Sequence, residues 1–205
     1  MRSNTHPSDA SSSAATTRKK LLEAGTEEFY QFGYQQASLR RICKACGVTT
    51  GAFYFSFASK QELFHSIVDP VVSQMLTLSE ELVKKELDDP NSARENDRKT
   101  MEFELRYRKE LIILLEKSEG SGMEDLKELL FQKQISYFTM FFENKLGHPP
   151  DTEIMKLLAD IRLQGNLKLL KGNYDMEQTL LLNEILSGYA QGGYEYLIHN
   201  LRHRL

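Results

Sequence analysis

The sequence predicts an all-α protein: three short N-terminal helices that include a helix-turn-helix, then a longer, wholly helical C-terminal part. Three observations predict it. The 205 residues hold no Trp, five Pro and 12 Gly against many Leu, Glu and Lys, a balance that favours long helices over strands and turns. Apolar residues recur at steps of three and four, and no strand-like alternation appears. Two short candidate helices are joined by a Gly-containing turn, and each is preceded by a Ser or Thr, the helix-turn-helix plan.

Taken in order, residues 1–14 are rich in Ser, Thr and Ala and are expected to be a disordered tail. A first helix is expected over Thr16–Phe32, with Leu21, Leu22, Gly25, Phe29 and Phe32 on one face and Gly33 ending it. Ser38 stands where an N-cap hydroxyl belongs, before a short helix Leu39–Cys46. Gly47 and Val48 form the turn, and Thr49 caps a third helix over Thr50–Phe55. Phe29, Phe32, Ile42, Val48, Phe53 and Phe57 are expected to form the small core that holds these helices, because the third is too short to be stable alone.

Ser59, with Gln61 or Glu62 behind it, marks a capping box at the start of a long helix from Lys60 towards Leu87. Pro70 lies inside that helix and should kink it near Asp69, either for packing alone or as a joint between the two ends of the protein. Asp88-Asp89-Pro90-Asn91 breaks the chain, and helices follow at about 93–118, 123–146, 151–171 and 175–202. The domains expected are thus a tail at 1–14, a helix-turn-helix domain at 15–58 and a helical domain at 59–205.

The net charge of −3 conceals an asymmetry: residues 1–65 carry eight basic and five acidic side chains, and the remainder carries 18 and 24. A basic head on an acidic body fits nucleic-acid contact at one end. No apolar run approaches the roughly 18 residues of a membrane helix, and the polar N-terminus lacks a secretory core, so a soluble cytoplasmic protein is expected. Cys43 and Cys46 make no disulfide framework; as a CxxC pair they are either small packing residues, the preferred reading, or a redox or metal site. No nucleophile elbow, phosphate-binding loop, dinucleotide glycine run or metal-ligand quartet is present, so neither an enzyme, a cofactor nor a metal is expected.

Residues 17–64, TRKKLLEAGTEEFYQFGYQQASLRRICKACGVTTGAFYFSFASKQELF, closely resemble the DNA-binding domain of TetR-type (TetR/AcrR) transcriptional regulators. The resemblance runs through Phe-Gly-Tyr, Ser-x-x-x-Ile-Cys, Gly-Val-Thr-x-Gly-x-Phe-Tyr-Phe-x-Phe and Ser-Lys-x-Glu-Leu. It implies a dimer that binds a near-palindromic double-stranded DNA operator, generally as a ligand-responsive repressor. The alternative is a helical small-molecule-binding or adaptor protein that no longer binds an operator.

By position in the motif, Tyr54 and Lys60 are expected on phosphates, and Ser38 and Thr49 present backbone N–H groups there. Arg40, favoured over its neighbour Arg41, and Thr50 in the stretch Thr50-Gly51 are expected near base edges, with Phe55 against a thymine methyl. Thr17 and Arg18 are candidate phosphate contacts. Ser56 stands where many relatives have His or Tyr, which places that contact in doubt. Cys43 and Cys46 fall where the family usually has Ala.

The resemblance also implies that the last two helices pair with their copies in a homodimer. Ile185, Gly188, Tyr189, Gly192 and Tyr196 are the candidate interface, since helix-interior glycines suggest a closely approaching backbone. An unknown small-molecule effector is expected among Phe103, Tyr107, Phe131, Tyr137, Phe138 and Phe141, although such aromatic stripes also form ordinary core.

Overall fold

The computed structural model describes residues 7–202, excepting the side chains of 7–13, 87 and 90. Among them are nine helices: α1 Pro7–Gln36, α2 Leu39–Cys46, α3 Thr50–Tyr54, α4 Lys60–Asp88, α5 Ala93–Arg106, α6 Arg108–Glu116, α7 Leu126–Leu146, α8 Thr152–Lys171 and α9 Met176–Arg202, with a 3-10 turn at Pro90–Ser92. No strand occurs among the described residues, in keeping with the all-α expectation.

Several elements start or stop where local chemistry dictates. Thr49 Oγ1 accepts from Ala52 N at 3.1 Å and so caps α3. At α4, Glu62 N donates to Ser59 Oγ at 3.0 Å, while the Glu62 carboxylate accepts from Ala58 N at 2.6 Å, a capping box displaced by one residue. Gly33 interrupts α1 with φ 72° and ψ 165°, a left-handed conformation that a side chain resists, and this frees Tyr34 N to donate to Lys117 O at 2.8 Å.

Other expectations need correction. The first six residues of the expected tail lie outside the described residues, but α1 already begins at Pro7, a residue well suited to a first helical turn, rather than at Thr16. The single helix expected over 93–118 is two helices. Tyr107 leaves helical geometry at φ −109° and ψ 30°, and its hydroxyl donates to Gln74 Oε1 at 2.9 Å, so the chain turns there. Pro70 lies inside α4, as expected. Ser38 does precede α2, but its hydroxyl makes no cap; Glu28 instead takes its backbone N–H at 2.8 Å.

The chain divides into two compact units, 1–73 with 109–124, and 74–108 with 125–205. The first unit therefore extends past residue 58 and takes in the start of α4 and nearly all of α6. Burial explains why: Leu63, Phe64, Ile67, Val68 and Val71 of α4 and Leu111, Ile112, Ile113 and Leu114 of α6 are all withdrawn from solvent. Phe29, Ile42, Phe53 and Phe57 are buried with them as expected, whereas Phe32 remains 43% exposed and carries the Arg41 guanidinium over its ring at 4.3 Å.

In the second unit α9 has its polarity reversed. Thr179, Asn183 and Ser187, one turn apart, are buried, while Leu181, Ile185, Tyr189 and Tyr196 are exposed. The apolar core of this unit lies among α7, α8 and α9, around Ile135, Phe138, Phe142, Met155 and Ala159.

Candidate nucleic-acid interface

α3 is only five residues long and owes its position to Phe53. That ring is fully buried and meets Phe57 at 5.7 Å and Tyr54 edge-on at 5.3 Å. Pinning Phe53 turns its neighbours outward: Tyr54 is 56% and Phe55 94% exposed. Thr49, Thr50 and Gly51 are also exposed, and Ser56 is half-buried. A short helix thus presents a hydroxyl-bearing ring, a bare phenyl ring, a threonine and a glycine to solvent, the shape and chemistry that a DNA major groove accepts.

α2 separates its two adjacent arginines. Arg41 Nε donates to Glu28 Oε1 at 2.7 Å and its Nη2 donates to Gln36 O at 2.8 Å, with the Phe32 ring beneath. Arg41 is thereby part of the scaffold. Arg40 is exposed, with no hydrogen-bond or ion-pair partner among the described residues.

Two of the expected phosphate contacts face inward. Lys60 Nζ donates to the carbonyls of Tyr34 at 2.7 Å, Ala37 at 3.3 Å and Gln35 at 3.4 Å, and lies 4.4 Å from the centre of the Tyr34 ring. Its three ammonium protons are thus used to close the end of α1, and burial lowers its pKa. Arg18 donates to Ser56 O and to Ser66 Oγ at 3.4 Å and stacks on Phe57 at 4.1 Å, which ties α1 to the segment after α3. Thr17 is half-buried beside it. The sequence shows the charge of Lys60 and Arg18 but not the carbonyls that claim them.

Cys43 is buried, and Cys46 Sγ donates to Lys20 O at 3.2 Å. Burial, first among the causes, raises the pKa of both thiols, which keeps them protonated and supports packing over reactivity. No cluster of three or more metal-ligating side chains occurs among the described residues. Nor is any described helix long and apolar enough to cross a membrane.

The aromatic residues expected to line an effector site fall into two groups. Phe131, Tyr137, Phe138 and Phe141 belong to or pack on the α7–α9 core, with Phe138 closed off completely enough to be plain core. Tyr137 donates to Glu86 Oε1 at 2.6 Å, and burial followed by that carboxylate pushes its pKa far up. Phe103 and Tyr107 form their own pair on α5, with ring centres 4.9 Å apart.

The sequence reasoning missed a polar set in the same unit. Arg162 Nη2 donates to Asp97 Oδ1 at 2.6 Å, Asn166 Nδ2 donates to Glu104 Oε1 at 3.4 Å, and burial lifts the Glu104 carboxyl to about 7. Its signal was present in the four-residue spacing of Thr179, Asn183 and Ser187. The glycines of the expected interface also gain meaning. A side chain at Gly188 or Gly192 would meet nothing in the chain within 4 Å, whereas one at Gly165 would come within 2.9 Å of Leu186. The close α8–α9 crossing is therefore at Gly165, and intrachain packing does not account for the other two.

Comparison with known proteins agrees with this geometry. Residues 21–67 match the model for bacterial regulatory proteins of the tetR family. The HTH-type transcriptional regulator UidR of Escherichia coli K12 is 38% identical over 55 residues, which are 27% of this chain and 28% of that protein, so this likeness rests on little more than a quarter of either. At the level of fold it is far broader. A transcriptional regulator of the same class from Aquifex aeolicus superposes over 88% of this chain and 99% of its own, with a TM-score of 0.58 at 24% identity. AibR, solved in complex with isovaleryl coenzyme A and operator DNA, does so over 84% and 97%, with a TM-score of 0.55 at 20% identity. Residues 21–67 thus match the N-terminal domain of the tetR family of bacterial regulatory proteins, and the remainder of the chain shares the fold of solved regulators of that kind.

Proposed function

We propose that this protein is a cytoplasmic, ligand-responsive transcriptional repressor that binds a near-palindromic operator as a homodimer. The observation that carries the reading is the outward pair Tyr54 and Phe55 on a helix pinned by Phe53. Leaving a nearly bare phenyl ring in water has no use inside the monomer, and a thymine methyl offers it an apolar partner. In this reading Arg40, Thr50 and Gly51 read base edges and the exposed Tyr54 hydroxyl meets a phosphate. Lys60 and Arg18 serve as struts that fix the angle at which α3 is offered.

Dimerisation fits the reversed polarity of α9. Ile185, Tyr189 and Tyr196, joined by Leu157 and Ile161 of α8, leave apolar surface exposed around Gly188 and Gly192, where a second backbone has room to approach. Two heads on a two-fold axis then read half-sites spaced by a helical turn or a multiple of it, about 34–36 Å per turn. AibR was solved with both a small molecule and operator DNA, which supports a small-molecule effector for this chain.

Selection of duplexes by the full-length chain from a random pool tests the proposal. A two-fold-related pair of half-sites should be enriched, with affinity that falls steeply as salt rises. A second reading, a helical binding or adaptor protein without an operator, draws on the inward commitment of Lys60 and Arg18. It is the reading left standing if nothing is enriched even at low salt.

A further inference from the structure

The second unit buries polar groups that contact with DNA does not use. Arg162 Nη1 reaches Ser187 Oγ at 3.4 Å in addition to pairing with Asp97, and Asn183 Nδ2 donates to the Asp97 carbonyl at 3.4 Å. Two turns further along α5, Glu104 Oε1 accepts from Asn166 Nδ2. The remaining carboxylate oxygen, Glu104 Oε2, is shut off from solvent, and no donor among the described residues reaches it. Part of the Glu104 stem keeps some surface, but that oxygen does not.

The Oδ1 atoms of Asn96, Asn166 and Asn183 are in the same condition. Their identity as oxygens is fixed by what each amide nitrogen donates to: the Leu82 carbonyl for Asn96, Glu104 for Asn166 and the Asp97 carbonyl for Asn183. Four buried acceptors thus stand without a donor against one orphaned side-chain donor among the described residues, Arg108 Nε. Buried acceptors without donors are costly, and a carboxylate is the costliest of them.

Charge points the same way. Asp97 is answered by Arg162, while the nearest hydrogen-bonding partner of Glu104 is a neutral amide. Tyr137 and Tyr194 lie within reach of the Asp97 charge, and their rings adjoin Phe138 and Phe141. Arg162 also pulls on Glu104 but hydrogen-bonds to Asp97, so a hydrogen-bond donor is what Glu104 Oε2 lacks, and apolar ring surface stands near Asp97.

We propose that the Glu104–Asn166 acceptor pair receives an ammonium or amidinium headgroup, carried on an apolar body, as the effector of this protein. The identification of that ligand as an effector rests on the regulator reading above; its binding does not. An ammonium or amidinium supplies two or more N–H donors, to Glu104 Oε2 and Asn166 Oδ1, together with a positive charge hydrogen-bonded to Glu104 itself. A carboxylate or phosphate in the same place would add a like charge beside Glu104 and Asp97 and leave the acceptors unsatisfied.

Calorimetric titration of the DNA-free, full-length protein tests this with probes that share a phenyl body: phenethylamine and benzamidine as cations, 2-phenylethanol as the neutral partner and 3-phenylpropionate as the anion. Isovaleryl coenzyme A is added as a larger anion. The cations should bind, the others should not, and Glu104→Gln should weaken the cations about tenfold or more. Asn166→Leu carries the same requirement should Glu104→Gln fail to fold. No cation bound at up to about 1 mM, equal or tighter binding of the neutral or anionic probes, or cation affinity kept in the folded variant would each overturn the proposal. Because no DNA is present, failure here leaves the regulator reading intact, and a failed duplex selection leaves the amine site intact.

Discussion

Arg41 on α2 and Glu28 on α1 are joined at 2.7 Å, and the same Glu28 oxygen holds Ser38 N at 2.8 Å. One buried carboxylate therefore anchors both the start of α2 and one of its two adjacent arginines, while Arg40 stays exposed. Arg40→Ala should leave Tm unchanged but cost about 1–3 kcal/mol of duplex affinity and relax preference at one base pair of each half-site. Arg41→Ala should do the reverse, lowering Tm because Glu28 loses its cation, without selective loss at any base. Parallel melting curves and repeat selections with the two variants check this.

Lys60 is expected to matter for stability first. Lys60→Met leaves the carbonyls of Tyr34, Gln35 and Ala37 without their donor and should destabilise the fold by about 1–2 kcal/mol in denaturant unfolding. Duplex affinity of the folded protein should change little. Normal stability with weakened DNA binding would mean that the ammonium swings out to a phosphate.

The exposed face of α9 yields a test of assembly. Ile185→Glu places a charge on the face of α9 that carries Leu181 and Tyr189, which are exposed in the single chain, as are Leu157 and Ile161 of α8. Light scattering should show the dimer becoming monomer while helical content is kept. Operator affinity should fall by about 10²-fold as the two heads lose their link. A monomeric wild-type protein would remove the basis of this expectation.

Glu104 gives a pH dependence with a definite sign. Burial lifts its carboxyl to about 7 when folded, against the opposing pull of Arg162 and Asn166, from an ordinary value of 4.5. Between those values the folded state holds more protons than the unfolded one, so this group's stabilising contribution is present below about pH 4.5 and is lost as pH rises through about 7. Glu104→Gln mimics the protonated form. It should match the wild type at pH 5 and exceed it at pH 8 by about 1–3 kcal/mol, read as the difference between unfolding free energies. Equal stability at both pH values would show that the carboxylate is already well solvated.

Much of the N-terminal unit was legible in the sequence because its signals are local. The bounds of α2, the Thr49 cap, the Ser59 and Glu62 box and the break at Gly33 each depend on residues within a turn of one another. Partners distant in sequence were not legible. Ser38 looks like a cap until Glu28 takes its N–H; Lys60 looks free until the carbonyls of α1 close on it; and Tyr107 looks helical until Gln74 holds its hydroxyl. In the second unit, attention to aromatic residues obscured the polar stripe of Thr179, Asn183 and Ser187, since a buried polar face runs against the usual periodicity.

The affinity of a Thr50→Ala, Tyr54→Phe double variant for the selected duplex, measured with its melting temperature, tests the presentation of α3 most directly. Both side chains face solvent, so Tm should be unchanged while affinity falls about tenfold or more. Wild-type affinity in a normally folded double variant would contradict the claim that α3 is the surface that meets DNA.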